Sequence, residues 1–190
     1  MAASIATGGG IAAIGGLAAY LGLVTGAAPL DLGVGRRTRA LGPLQIQIAA
    51  PREVVFDVIA APYAERTTRA LREKVQVLER GSDMVLAAHY TPIRGRLRAT
   101  TVETVRFSGP DRVDFRLVRG PVPHVAESFV LDSDGLGTVL SYSGELGTDL
   151  WGFGRAWGDV VASRWEAVVQ ASFDTVRAEA ERRARFDRGQ

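Results

Sequence analysis

Short turn signals divide residues 75–146 into six segments with the alternating polar and apolar pattern of β-strands. The turns are rich in glycine, proline, serine and aspartate, as in Gly120-Pro-Val-Pro123. Connections this short join antiparallel neighbours. The predicted strands are Val75–Glu79, Met84–Tyr90, Arg96–Phe107, Arg112–Arg119, Val125–Leu131 and Thr138–Leu146.

Further elements are predicted on both sides of these strands. Leu44–Ile48 alternates as another strand, Pro51 begins a helix with an apolar stripe, and Tyr63–Glu73 forms a second short helix. A long helical pattern covers Asp149–Phe186. Its predicted inner face comprises Trp157, Val161, Trp165, Val168, Ser172 and Val176.

This order of elements, β-α-α-β6-α, predicts an α+β fold. We expect a seven-stranded, strongly curved antiparallel sheet wrapped on a long carboxy-terminal helix. A curved sheet of this size cannot cover its own concave face, so the helix lies across that face. Such an arrangement leaves room for a cavity between sheet and helix.

The chain resembles the START-related SRPBCC superfamily, which includes polyketide cyclases and dehydrases, coenzyme Q-binding proteins and birch-pollen-type allergens. The resemblance covers about Gln45 to Arg183 and lies in IQIAAPREVVFDVIAAP (Ile46 to Pro62) and WGDVVASRWEAVV (Trp157 to Val169). It implies the helix-grip fold over a domain at residues 44–186. It implies no particular chemistry, because the superfamily contains carriers and enzymes alike and shares no catalytic triad.

The first 30 residues contain no acidic or basic side chain. The run from about Ile5 to Leu30 exceeds the roughly 20 residues that a helix needs to cross a bilayer. No basic residue precedes it, unlike a secretory signal. We therefore predict a transmembrane helix over residues 1–30, with a soluble leader and a cleaved signal as alternatives.

The residues around this segment extend the prediction. Ala18, Gly22 and Gly26 form a stripe of small residues that favours a helix partner or a homodimer in lipid. The basic flank Arg36–Arg39 predicts a single-pass protein of the cell membrane with its main domain in the cytoplasm. Glycine-rich residues 31–43 are predicted to form a linker, and residues 187–190 a tail.

Composition excludes several classes of site. The chain has no cysteine, which excludes disulfides, thiolate catalysis and cysteine-based zinc sites. It has two histidines, so we expect no metal site, and no cofactor is predicted. Its 23 basic residues, nearly all arginine, are interleaved with 21 acidic ones, a pattern that does not predict nucleic-acid binding.

Two glutamates, Glu103 and Glu127, fall on strand faces that otherwise point inward. One allowed register places them on either side of Phe115, roughly 10 Å apart. A carboxylate facing an apolar cavity has a raised pKa or a polar partner, which suits a general acid/base or a group that orients a ligand. The alternative is a structural role, with the side chain turned to solvent or paired with arginine.

The predicted lining of the cavity combines these glutamates with apolar and aromatic side chains. No residue is assigned as catalytic, although Glu103 and Glu127 are candidates. The face of His89 is ambiguous because Tyr90 competes for the inward side, and His124 lies at a strand edge. The predicted lining residues are Leu97, Thr101, Glu103, Phe115, Leu117, Glu127, Phe129, Tyr142, Trp157, Val161 and Trp165.

These features predict a membrane-tethered binding or carrier protein for a hydrophobic small molecule such as a lipid, an isoprenoid quinone or a polyketide-like compound. Its expected partners are that ligand and membrane lipid. A second hypothesis is a polyketide cyclase or dehydratase that uses Glu103 or Glu127 as base, assisted by Tyr142 or His89. A third is an accessory subunit or assembly factor of a membrane complex.

Overall fold

Seven antiparallel strands and one long helix account for most of the chain. The computed structural model describes residues 18–28, 31–94, 97–135 and 137–187. A 3₁₀ turn, Ala61–Tyr63, directly follows the helix Arg52–Ala60. The strands are β1 (Arg37–Ile48), β2 (Val75–Arg80), β3 (Met84–Arg94), β4 (Leu97–Ser108), β5 (Arg112–Arg119), β6 (His124–Ser133) and β7 (Thr138–Thr148), and the helices are α1 (Arg52–Ala60), α2 (Arg69–Arg72) and α3 (Trp151–Asp187).

Hairpin connections determine most of the sheet. Consecutive strands from β2 to β7 pair as antiparallel neighbours, and β1 closes onto β7, so the order is β1-β7-β6-β5-β4-β3-β2. The predicted seven-stranded antiparallel sheet followed by a long helix is confirmed. β1 begins at Arg37, within the stretch 31–43 that its glycines predict as a linker, because residues 37–41 pair with residues 144–148 of β7.

The core lies between the inner face of the sheet and α3. Alternation buries residues at every second position over much of β4 to β7, among them Val105, Val113 and Leu140, each with no exposed surface. From α3, Phe173 is fully buried and its ring lies 5.3 Å from that of Phe129 on β6. Helix α3 also packs against β1, β7 and α1. The long helix therefore lies on the inner face.

The buried face of α3 differs from the predicted face after Trp165. Trp157, Val161, Trp165 and Val176 are buried or partly buried as predicted, whereas Val168 and Ser172 are exposed. Val169 and Phe173 take their places in the core. Each step of four residues overshoots a full helical turn by about 40°, so the buried stripe rotates around α3 between Trp157 and Phe173.

The second predicted helix is shorter than the segment Tyr63–Glu73. The chain makes the 3₁₀ turn that contains Pro62 and resumes a helix only at α2. Thr68 caps α2, since its Oγ1 accepts a hydrogen bond from the Leu71 amide at 3.4 Å. The 3₁₀ turn buries Tyr63 beside the sheet.

The predicted membrane anchor is contradicted. Within the described part of the chain, no helix combines the length and the apolar character that crossing a membrane requires. The prediction of a single-pass cell-membrane protein with a cytoplasmic domain is therefore wrong. Residues 1–17 and 29–30 of the predicted span lie outside the described residues.

Residues 18–28, which we call the N-terminal segment, pack on the domain. Their helix ends at residue 24, and the Thr100 amide at the start of β4 donates a hydrogen bond to the Thr25 carbonyl at 2.9 Å. Gly26 is buried against Thr100 and Gly120. One member of the small-residue stripe therefore contacts the chain's own domain, and the predicted helix partner or homodimer stays a prediction.

The basic flank Arg36–Arg39 is part of the folded domain. Arg36 Nε donates to Asp149 Oδ1 at 2.8 Å, and Arg39 Nη1 donates to Asp159 Oδ1 at the same distance. Both acceptors lie at or near the start of α3. These two ion pairs connect the start of β1 with the start of α3.

Candidate functional site

Six polar side chains converge on the inner face of the sheet, and we call them the polar cluster. They come from the 3₁₀ turn, four different strands and α3. Glu103 and Glu127 retain only 5% and 8% of their exposed surface. The members are Tyr63, His89, Glu103, Glu127, Tyr142 and Trp165.

Glu127 is held by one strand and one helix. Its Oε2 accepts a hydrogen bond from the Tyr142 hydroxyl at 2.9 Å and another from Trp165 Nε1 at 2.7 Å. Gly144 lies opposite Glu127 in the β6–β7 pairing, where an added Cβ would stand 2.7 Å from Glu127 Cβ. The carboxylate is therefore fixed at the contact between β6, β7 and α3.

The environment of Glu127 disfavours its charge. Burial, followed by the nearby charge of Glu103, raises the pKa of Glu127 to about 7, against hydrogen bonds from Trp165 and Tyr142 that lower it. Burial and then the charge of Glu127 raise the pKa of Tyr142, which therefore remains a donor. Near neutral pH, Glu127 is poised between its acid and its base form.

Glu103 ends a second chain of polar contacts. His89 Nδ1 lies 3.1 Å from Glu103 Oε2, and the Tyr63 hydroxyl lies 2.9 Å from His89 Nε2. Nδ1 faces the carboxylate, and Nε2 either accepts from or donates to the Tyr63 hydroxyl, depending on the protonation of the imidazole. Burial, followed by the charge of Glu103, raises the pKa of Tyr63. The chain thus runs from Tyr63 through His89 to Glu103.

Strand register sets the offset between the two carboxylates. Phe115 pairs with Glu127, as in the row expected from the hairpins, but Glu103 pairs with Leu117. An irregularity between Val102 and Glu103 accompanies this displacement. The straight row of Glu103, Phe115 and Glu127 is therefore not formed. The two carboxylates still lie close enough for one charge to raise the other's pKa.

Comparison with known proteins is informative only at the level of structure. No protein-family model matches the chain, and no curated protein sequence does. The Zhui aromatase/cyclase of Streptomyces sp. R1128 matches with a TM-score of 0.62 at 19% identity, over 78% of this chain and 95% of that one. A two-domain aromatase/cyclase of steffimycin biosynthesis matches with a TM-score of 0.60 at 15% identity, over 78% of this chain and 52% of that one.

Norcoclaurine synthase from Thalictrum flavum, in complex with dopamine and hydroxybenzaldehyde, matches with a TM-score of 0.53 at 11% identity, over 76% of this chain and 87% of that one. These proteins share the arrangement of an antiparallel sheet and a long carboxy-terminal helix. The fold is the helix-grip fold. The resemblance to the SRPBCC superfamily is thereby confirmed for the fold, whereas identities this low leave the chemistry to the site itself.

The predicted lining residues are either buried or partly buried. Buried members are Thr101, Glu103, Phe115, Glu127, Phe129, Tyr142 and Val161. Leu97, Leu117, Trp157 and Trp165 are partly buried. Trp157 donates its indole N–H to the Pro121 carbonyl at 2.8 Å rather than to the polar cluster.

The two histidines have different environments. His89 follows Val85 and Ala87 on the inward face of β3, while the neighbouring Tyr90 donates its hydroxyl proton to Gln76 on the other face. His124 contacts Glu145 at 2.8 Å, away from the polar cluster. The alternation of Val85, Ala87 and His89 therefore indicates correctly that His89 lies on the inward face of β3.

Sequence reasoning missed Tyr63 and Phe173. Tyr63 lies four residues after Ile59, the last buried residue of α1, and continues its apolar stripe into the 3₁₀ turn. Phe173 lies four residues after Val169 on α3. In the described part of the chain, no three His, Asp or Glu side chains are grouped so that they can hold a metal ion.

Proposed function

We propose that the helix-grip domain binds a hydrophobic small molecule between the sheet and α3, with Glu127 holding the polar group of that molecule. The observation that carries this proposal is the state of Glu127, a buried carboxyl group with a pKa of about 7. Both described hydrogen bonds to Glu127 end on Oε2. Its Oε1 receives none from the residues that the structure describes, so it is an acceptor for a ligand.

The surroundings of Glu127 suit an apolar ligand body. The Phe115 ring lies 5.0 Å from that of Phe129, and the Phe129 ring lies 5.8 Å from that of Tyr142. Burying apolar surface against such rings is favourable, by about 25 cal/mol per Å². The Oε1 atom of Glu127 has no partner among the described residues and is not enclosed by protein atoms, so a ligand donor can reach it. The expected ligand therefore has an apolar, ring-sized body and a hydrogen-bond donor.

Binding is tested with the purified full chain. Native mass spectrometry detects a co-purified organic molecule, and isothermal titration calorimetry measures the binding of 2-naphthol, an apolar phenol. We expect Glu127→Gln to weaken 2-naphthol binding about tenfold through loss of a charge-assisted hydrogen bond, and the exposed control Glu65→Gln to have no effect. A chain that carries no organic molecule and binds no 2-naphthol would overturn the proposal.

A second candidate function is acid–base catalysis of the polyketide cyclase or dehydratase type. The observation that favours it is the presence of two proton-handling groups on one face, Glu127 and the chain from Tyr63 through His89 to Glu103. A base with a pKa near 7 removes a proton next to a carbonyl efficiently at neutral pH. The resulting carbanion would attack a second carbonyl, and loss of water would follow.

Turnover distinguishes the two candidates. The substrate is a poly-β-ketone thioester mimic, and the aromatic product is followed by its ultraviolet absorbance and mass. Catalysis predicts that Glu103→Gln or Glu127→Gln retains binding of the mimic but loses turnover. Binding by the unaltered chain without any aromatic product would leave the carrier role and reject the enzyme.

A further inference from the structure

Of the six members of the polar cluster, two are carboxylic acids and one, His89, is basic. Glu103 and Glu127 face the inner side, and the groups that contact them are Tyr142, Trp165 and the imidazole of His89. No arginine or lysine among the described residues forms an ion pair with either glutamate. Arginines form ion pairs elsewhere, such as Arg52 with Asp111 at 2.6 Å. A ligand carboxylate or phosphate would therefore meet repulsion at this site.

Acceptor oxygens without partners form a second, independent feature. Thr101 is 8% exposed and precedes Glu103 by two residues on the same face of β4, so its hydroxyl lies on the side of the polar cluster. No described residue hydrogen-bonds to Thr101 Oγ1, Glu103 Oε1 or Glu127 Oε1, and none of these oxygens is sealed off by protein atoms. The inner face thus offers several free acceptors on residues that are more than nine-tenths buried.

From these two features we infer that the ligand of the proposed site is an apolar molecule carrying a protonated amine. An ammonium group provides three hydrogen-bond donors and no acceptor, which complements the free oxygens. Its positive charge complements the two carboxylates, and a hydroxyl ligand provides one donor and no charge. The inference rests on the proposed function, because it assigns the chemical class of ligand that the same site takes.

Aromatic side chains around the carboxylate favour the same ligand. Phe115 pairs directly with Glu127 across β5 and β6, and Phe129 follows two residues later on the same face. Aromatic ring faces attract organic cations, and the attraction grows when water is excluded. Rings beside a carboxylate therefore bind both the ammonium group and the apolar body attached to it.

The titration of Glu127 supports this assignment. Burial and the charge of Glu103 raise its pKa, while His89, Trp165 and Tyr142 act in the opposite direction. Glu166 of α3 is another charged group nearby, and its charge contributes to the raised pKa of Tyr142. A bound cation would stabilise ionised Glu127, so amine binding at pH 7 is expected to release a proton.

Three probes with one apolar body test the inference. Isothermal titration calorimetry at pH 7 compares 2-(2-naphthyl)ethylamine, 2-(2-naphthyl)ethanol and 2-naphthylacetic acid on the full chain. We expect the amine to bind about tenfold or more tightly than the alcohol, since charge-assisted hydrogen bonds are roughly twice as strong as neutral ones. The acid is expected to bind more weakly than both.

Variants test whether the preference for the amine over the alcohol depends on the polar cluster. Glu127→Gln should remove most of the amine's advantage over the alcohol, while Glu65→Gln, an exposed control, should preserve it. Repeating the amine titration in buffers of different ionisation enthalpy measures the released proton. Circular dichroism establishes that each variant is folded, and Thr101→Val provides a second variant that leaves both carboxylates in place.

The outcomes separate the two proposals. The amine inference is overturned if the alcohol binds as tightly as the amine, or if the acid binds most tightly. If Glu127→Gln weakens binding in that case, the ligand site stands although its preference for an amine does not. If none of the three probes binds and the chain carries no organic molecule, the proposed function falls and the inference falls with it.

Discussion

The Glu127 carboxylate accepts a hydrogen bond from the indole N–H of Trp165 at 2.7 Å and thereby connects the sheet to the long helix. The same oxygen accepts the Tyr142 hydroxyl, so one buried atom is shared by β6, β7 and α3. A polar contact at this position orients the carboxylate. The protonation state of Glu127 therefore depends on how α3 packs on the sheet.

Glu127→Gln should stabilise the fold at alkaline pH. Because the folded state raises the pKa of Glu127 from 4.5 to about 7, its stabilising contribution is full below pH 4.5 and is lost as pH rises to 7. Glutamine mimics the protonated form at every pH. The expected gain in unfolding free energy is up to about 3 kcal/mol at pH 8 and close to zero at pH 4.5.

Urea unfolding from pH 4.5 to 8 measures this difference. Glu65→Gln, at an exposed position, controls for loss of a surface charge. A gain for Glu127→Gln that does not grow between pH 4.5 and 7 would contradict the raised pKa.

Trp165→Phe should change the titration of Glu127 itself. The indole hydrogen bond lowers the pKa of Glu127, so its loss should raise that pKa further. Loss of a hydrogen bond to a charged group should also reduce stability at pH 8 by about 2 kcal/mol. Carbon-13 NMR of the Glu127 carboxyl measures the pKa, and urea unfolding measures the stability.

Trp157→Phe is the matched control, because the Trp157 indole donates to the Pro121 carbonyl. It should leave the Glu127 titration unchanged. Equal shifts in both variants would show that the Trp165 contact has no specific effect.

Asp149→Asn should loosen the start of α3. Asp149 Oδ2 accepts the Leu32 and Gly33 amides at 2.7 and 2.8 Å, and Oδ1 accepts Arg36 Nε. The Arg36 hydrogen bond is the main cause of the lowered pKa of Asp149. Its stabilising contribution is therefore present above the unfolded pKa of about 3.8 and is lost as pH falls through the folded value. We expect a loss of about 2 kcal/mol at pH 7.

Thermal unfolding at pH 7 and at pH 3 measures this loss, which should shrink at the lower pH. Asp159→Asn is the control, since that carboxylate is exposed and pairs with Arg39. Equal losses for the two variants at pH 7 would argue against a special role for Asp149.

Gly26→Ala should release the N-terminal segment without unfolding the domain. Gly26 has φ of 70°, and an added Cβ would lie 2.4 Å from the Thr100 carbonyl oxygen. Gly33→Ala is a matched control, because Gly33 has a similar φ of 66° but open space around its Cβ position. Both variants have the same kind of backbone strain, and only the first adds a clash.

Hydrogen exchange at the Thr100 amide, which donates to the Thr25 carbonyl, measures release of the segment. Exchange should accelerate in Gly26→Ala and not in Gly33→Ala. Similar exchange in the two variants would indicate that the segment is not held through Gly26.

Local patterns were sufficient for the seven strands, for their inward faces and for the long helix. Period-two alternation placed Glu103 and Glu127 on the buried side, where both are more than nine-tenths buried. Alternation is a property of the strand alone, so it survives without knowledge of the partner strands. The predicted membrane anchor was wrong because hydropathy does not distinguish residues that pack on their own domain, as residues 18–28 do, from residues that cross lipid.

The sequence by itself determined the order of the elements, the antiparallel sheet with its long carboxy-terminal helix and the presence of two inward carboxylates, because each depends on local periodicity and short turns. Only the tertiary structure decided which groups those carboxylates meet. Tyr63, His89 and Trp165 come from separate elements, and their convergence depends on strand register and on the rotation of α3. Such contacts arise from packing between distant residues, and no local pattern encodes them.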